Sequence, residues 1–167
     1  LLRYKYISFS SFSLEFISSS NSAAKINHLA KNSIAKASIM QNIILNTSLS
    51  NHAVESAILS RRFSYLGVRK DVLREHYIEG YKADIYIPNS KTIIEIKSIL
   101  SSNDMGVFPT VYSERTQNQL KSIGEMLDKG YRVFFIVVSL NPYLKGVAID
   151  MSTEFYVELS KCIEKGL

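Results

Sequence analysis

Residues 81–98, YKADIYIPNSKTIIEIKS, place three charges inside two apolar, β-branched runs: Asp84 in the first, Glu95 and Lys97 in the second. Side chains two apart on a strand project to the same face, so Glu95 and Lys97 leave the backbone together, about 7 Å apart. Pro88-Asn89-Ser90 between the runs is a turn signal, and a hairpin across it brings the Asp84 carboxylate beside that of Glu95. Two convergent carboxylates repel unless a cation lies between them. Oxygen-only ligation suits Mg2+ or Mn2+, which keep water ligands and use one or two carboxylates together with a substrate phosphate. A lysine beside such a pair offsets charge on phosphorus or orients an attacking water. The competing reading is a solvated strand face carrying an i, i+2 ion pair, with no chemistry at all.

The elements that must position these residues follow from periodicity. NTSLSNHAVESAILSRRF offers Ser50 or Asn51 as a cap, then Val54, Ala57 and Ile58 on a helix. VLREHYIEGYKADIYIP reads as one or two strands and KTIIEIKSIL as the next. SSNDMGVFPTVYS is a loop, after which Leu120, Ile123 and Leu127 recur at helical spacing with Gly130 beyond the end. YRVFFIVVSL is a continuous apolar run, as expected of a strand buried on both faces. GVAID is a further strand, and STEFYVELSKCIEKG a final helix capped by Ser152 or Thr153, with Gly166 past its end. This order predicts an α/β domain with a mixed central sheet flanked by helices. Upstream, the Ser- and aromatic-rich residues 1–22 suit strands of a small β element, and residues 23–41 a loosely patterned helix. The composition shift near residue 45 is the best internal boundary.

A chain of 167 residues with 46% hydrophobic content fits one full domain with a short appendage. The net charge of +5 suits an anionic partner such as nucleic acid. Arg61, Arg62, Arg69, Lys70, Arg74 and Lys82 gather on the segment leading to Asp84. They form either a phosphate-tracking rim or a solvated charged face. The one cysteine, Cys162, allows no internal disulfide and no zinc site built from cysteines alone, which points to a reducing, cytoplasmic compartment. No apolar run approaches the roughly 20 residues that span a bilayer, and Ser and Glu15 interrupt any signal-like core near the start. The chain begins without Met and reads as a fragment. His28, His52 and His76 lack metal-ligand spacing. There is no G-x-S-x-G elbow, Gly-rich phosphate loop or dinucleotide fingerprint, so neither a serine hydrolase nor a nucleotide cofactor is expected. Tyr77, Tyr81 and Tyr86 at strand positions read as packing residues rather than base-stacking platforms.

Asp84 followed by Glu95-x-Lys97 resembles the active-site signature of the PD-(D/E)XK nuclease superfamily. The surroundings are more specific. TIIEIKSIL and FPTVYSERTQNQLKSIGEMLDKGYRVFFIVVSL resemble the sugar fermentation stimulation (SfsA) family, which carries an E-V-K strand, an F-P-D-A-x-x-x-R-G-x-x-H-L segment, a helix and an apolar strand. LNTSLSNHAVESAI is similar to that family's N-T-x-x-P-N stretch, and EGYKADIYI to its S-R-I-D-F strand.

The resemblance implies a restriction-endonuclease-like domain over residues 43–167, preceded over residues 1–42 by a remnant of a small OB-like β domain. It implies Asp84 and Glu95 as ligands of Mg2+ or Mn2+, Lys97 as the catalytic lysine, Arg115 as a phosphate contact and Gln119 as a further site candidate. Glu55, on the first helix, stands where this superfamily often supplies an extra carboxylate, although that position aligns equally with Ser56 and a solvated helix face is the favoured reading of a lone glutamate. The chain departs from the family pattern at Thr110, where an acid is lost, and at Thr116 and Gln119, where a glycine and a histidine are lost; Tyr81-Lys82 replaces Ser-Arg. The expected function is DNA binding with metal-dependent phosphodiester hydrolysis. The rivals are a DNA-binding regulator of sugar metabolism with a vestigial nuclease site, and an assembly domain that binds neither metal nor DNA.

Overall fold

The computed structural model describes residues 7–8, 34–36, 42–44, 48–64, 67, 71–101, 103–139, 141 and 144–167. Short strands β1 (Ile7–Ser8), β2 (Ile34–Lys36) and β3 (Asn42–Ile44) precede helix α1 (Ser48–Leu59). Strands β4 (Leu73–Ile78), β5 (Tyr81–Ile87), β6 (Thr92–Ile99) and β7 (Met105–Phe108) follow, then α2 (Glu114–Asp128), β8 (Arg132–Ser139), β9 (Gly146–Ile149) and α3 (Glu154–Glu164). The main sheet runs β1-β8-β6-β5-β4. β4, β5 and β6 form an antiparallel meander, whereas β6, β8 and β1 are parallel. The α2 crossover makes the parallel step possible, because two parallel neighbours cannot be joined by a tight turn.

Helices cover both faces of this sheet. α1 buries Val54, Ala57 and Ile58, one stripe at i, i+3 and i+4, against Ile85, Ile87, Ile94, Ile96, Ile136 and Val138. On the opposite face, Leu120, Ile123 and Met126 of α2 and Phe155, Leu159 and Cys162 of α3 pack on Ala83, Ile93, Ile99 and Val133. Phe108 stands edge-on to Phe155 with ring centroids 5.3 Å apart, which ties β7 to α3. The lone thiol, Cys162, is buried there, donates to the Leu120 carbonyl at 3.2 Å, and has its pKa pushed up chiefly by burial and also by the Glu158 carboxylate. The Ser113 hydroxyl caps α2 by accepting from Thr116 N–H, and Thr153 caps α3 by accepting from Tyr156 N–H, each at 3.3 Å. Glu79 and Gly80, with φ of 47° and 86°, make the two-residue turn between β4 and β5. Positive φ at both central positions matches the twist of a hairpin.

Three expectations are corrected. The loop expected over residues 101–113 contains β7, which pairs in parallel with β9 in a separate two-stranded sheet. Buried Gly106 and Phe108 alternate with exposed Met105 and Val107, a period of two hidden by the turn-favouring residues around it. α1 starts at Ser48 rather than after a cap at Ser50 or Asn51. Ser50 is fully buried and accepts from the Ser98 hydroxyl at 2.7 Å, so it anchors the helix to β6 instead of capping it. The helix expected over 23–41 gives way at residues 34–36 to β2, antiparallel to β3. β2 lies before the boundary expected between residues 42 and 43, and β3 runs across it, while β1 extends the main sheet. The rest of the expected OB-like remnant lies outside the described residues.

Ile58 is fully buried beneath the sheet, whereas its neighbour Leu59 is 59% exposed. Ile58→Ala is therefore expected to cost about 2–5 kcal/mol of stability, and Leu59→Ala less than about 0.5 kcal/mol, compared by urea denaturation.

Candidate active site

The site exists because β5 and β6 part company. Their ladder runs only from Ile87↔Thr92 to Ile85↔Ile94. Tyr81 and Ala83 belong to the core beneath α2 and α3, but Ile85 and Ile87 to the core beneath α1, so the inward face of β5 changes between Ala83 and Ile85. Strict alternation would have kept all four on one face. The change is shared by β4, whose pairing with β5 skips Glu75 and Asp84 and whose Glu75 has a left-handed φ of 46°. Where the ladder ends, the Asp84 side chain takes over: its Oδ2 accepts the Ile96 N–H at 2.8 Å. The hairpin thus brings Asp84 against the Glu95-Ile96-Lys97 stretch.

Glu95 sits in the middle of β6 and is 1% exposed. Tyr81 Oη donates to its Oε2 at 2.7 Å and Lys97 Nζ to its Oε1 at 2.9 Å. Lys97 Nζ also donates to Gln119 Oε1 at 2.5 Å, so the lysine is clamped between strand and helix. Burial pushes the Glu95 carboxyl above its ordinary value, and the negative charge of Asp84 pushes it further, against the pull of Lys97 and Tyr81. The Tyr81 hydroxyl is likewise pushed up, first by burial and then by the Glu95 charge. Such a desolvated cluster adds little to stability.

The cleft around it has a volume of about 720 Å³. Its walls are Glu75 of β4, Lys82 and Asp84 of β5, residues 95–98 of β6, Asn51 of α1, and Arg115, Asn118, Gln119 and Ser122 of α2. The four α2 residues follow i, i+3, i+4, i+7 and form one polar stripe beside the stripe that packs on the sheet.

Asp84, Glu95, Lys97, Lys82, Arg115 and Gln119 thus come together. Glu55 does not join them. It pairs with Arg74 (Oε1 to Nε, 3.4 Å) and His52 (Oε2 to Nδ1, 3.9 Å) and is not among the residues that line the cleft. Arg74 is accordingly committed to Glu55, and the exposed Arg61 and Arg62 stand in the turn after α1, off the cleft wall. Arg69 and Lys70 lie outside the described residues. Sequence reasoning missed Tyr81, which reads as a packing residue until its hydroxyl is seen on Glu95. It also missed Asn51, Asn118 and Ser122; the second polar stripe of α2 was the signal available for the last two.

Among the described residues, no three His, Cys, Asp or Glu side chains gather as a metal-binding group. Asp84 and Glu95 supply two carboxylates in one cleft, close enough for one charge to raise the other's pKa. That donor set fits a hard divalent cation completing its shell with water and phosphate.

Fold and site together define a mixed α/β domain with an acidic, lysine-bearing cleft where the central sheet splits. The family model described as the sugar fermentation stimulation protein RE domain matches residues 48–167, and the chain belongs to this SfsA family. It is similar to a sugar fermentation stimulation protein homolog of Shewanella pealeana, with 27% identity over 126 residues, 72% of this chain and 53% of that protein. The chain thus spans about half the length of that relative. The structure of Pyrococcus furiosus SfsA in complex with Ca2+ has the same fold, with a TM-score of 0.63 and 20% identity, covering 75% of this chain and 57% of the other.

The raised Glu95 pKa has a sign. The folded state holds the Glu95 proton more tightly than the unfolded chain, so stability falls as pH rises from the ordinary glutamate value of 4.5 through the higher folded one. Glu95→Gln is expected to remove this component, flattening that part of the profile of denaturation free energy against pH measured in a chelator.

Proposed function

We propose that this protein is a DNA-binding, divalent-cation-dependent phosphodiester hydrolase of the PD-(D/E)XK type. The observation that carries the reading is the convergence of Asp84, Glu95 and Lys97 at the split of the sheet, with Gln119 holding Lys97 from the helix side. The Ca2+ complex of the P. furiosus relative adds support, because Ca2+ is also a hard, oxygen-seeking cation.

In this reading Asp84 and Glu95 hold Mg2+ or Mn2+. When bound, the cation offsets charge on the phosphate and acidifies water. The chain's own residues do the rest. Lys97 Nζ, fixed by Glu95 and Gln119, orients the attacking water. Arg115, near the start of α2, binds a phosphate oxygen as a charge-assisted donor. A water oxygen bonds to phosphorus as the bond to the leaving oxygen breaks, and the proton released by water replaces that bond on the leaving group. Tyr81 holds Glu95 in place from below. Lys82 and the overall charge of +5 favour the approach of a polyanion. Among the described residues no helix is long and apolar enough to cross a membrane.

The test is cleavage of single-stranded, duplex and branched DNA with Mg2+ or Mn2+ and in chelator. Hydrolysis is expected only with the metal, reduced on the order of 100-fold or more in Lys97→Ala and abolished in Asp84→Asn, which keeps an acceptor for the Ile96 N–H, with the far-ultraviolet circular dichroism of both variants unchanged. Salt-sensitive DNA binding without any metal-dependent turnover would select the non-catalytic regulatory reading instead.

A further inference from the structure

Beside the acidic cleft, the outermost strand of the sheet carries an aromatic ring with no packing role. Tyr77 is 67% exposed. It is the direct ladder partner of Lys82, and Lys82 Nζ lies 6.0 Å from its ring centroid, at the outer limit of a cation–π contact. Lys82 lines the cleft and bonds Glu75 at 2.8 Å, and Glu75 lines it too. Glu75 lies two residues before Tyr77 on β4, and Asp84 two residues beyond Lys82 on β5. The Tyr77–Lys82 pair therefore stands two residues along each strand from Glu75 and Asp84, where the pairing lapses. The other exposed groups on β4 do not share this place. Arg74 is held by Glu55, and His76 is stacked on Tyr86 with ring centroids 5.6 Å apart.

We propose that Tyr77 is a base-stacking platform on the cleft rim, with Lys82 as the adjoining phosphate contact, so that the site takes an unpaired, single-stranded stretch of nucleic acid. The inference rests on the nucleic-acid reading above and names the form of the strand. Exposed aromatics beside a basic group bind single strands because every base offers a π-face, whereas the bases of an intact duplex are already stacked on each other. A stacked base at Tyr77 sets the next phosphates of the same strand toward Asp84 and Glu95. Two positive groups, Lys82 and Arg115, line the same cleft as the acidic pair.

The chain has no tryptophan, so Tyr77→Trp introduces a single reporter at the proposed platform. A homothymidine oligonucleotide is titrated into this variant, in chelator and again with Ca2+, while fluorescence anisotropy of labelled oligonucleotide follows binding by the native chain, Tyr77→Ala and Tyr77→Phe. The expected results are quenching of the tryptophan by the single strand and not by a blunt duplex, Tyr77→Ala affinity weaker on the order of 10-fold, and native affinity in Tyr77→Phe. Native binding with unchanged Tyr77→Ala affinity and no quenching overturns the platform and leaves the nucleic-acid reading standing. No DNA binding by the native chain overturns both. A change of sedimentation coefficient in Tyr77→Ala without loss of DNA affinity overturns the proposal in favour of a second copy of the chain at the β4 edge.

Discussion

One hydrogen bond marks the constraint on which the rest of the structure depends: the Ile96 N–H given to the Asp84 carboxylate. A backbone donor in the interior of a sheet must find an acceptor, and along the paired stretches of this sheet a neighbouring strand provides it. Here β5 has already diverged, so a side chain substitutes for a strand. The acid that satisfies the sheet is thereby placed beside Glu95 and Lys97. The fold cannot close its own ladder without bringing that carboxylate to the site.

The two helical layers meet different demands on either side of that opening. α1 covers Ile94 and Ile96 and anchors through Ser50 to Ser98, so the alternate residues of β6 are held by an almost wholly apolar layer. On the other face, Ile93 and Ile99 pack into the core, but Glu95 and Lys97 between them meet Tyr81 and Gln119. The same strand therefore has a structural face and a polar face, as period-two alternation permits. The apolar contacts fix β6 firmly enough to keep a desolvated carboxylate where an unconstrained strand would expose it.

Much of this was legible in the sequence. The apolar runs of β5, β6 and β8 and the helical spacing of Leu120, Ile123 and Leu127 identify their elements, because those residues carry burial that fixes the layers. The convergence of Asp84 with Glu95 followed from a hairpin across Pro88-Asn89-Ser90, and both acids do line one cleft. The parting of β5 from β6 was not legible. It depends on a left-handed residue at Glu75, where no glycine advertises it, and on a change of inward face that a period-two reading excludes. Tyr81 was misread for the same reason, since its ring packs as expected while its hydroxyl reaches sideways to Glu95. Glu55 sat on the right helix, but on the side that faces Arg74.

The buried thiol of Cys162 has a use unrelated to catalysis. Its sulfur points at the Leu120 carbonyl, one residue along α2 from Gln119, and both burial and charge keep it in the unreactive thiol form. Reaction with an alkylating reagent requires α3 to lift from α2, since only the thiolate attacks and only an exposed group ionises readily. With no second cysteine in the chain, the rate of labelling becomes a clock for that opening. The helix that clamps Lys97 has, packed against it on α3, a built-in gauge of how often its own packing opens.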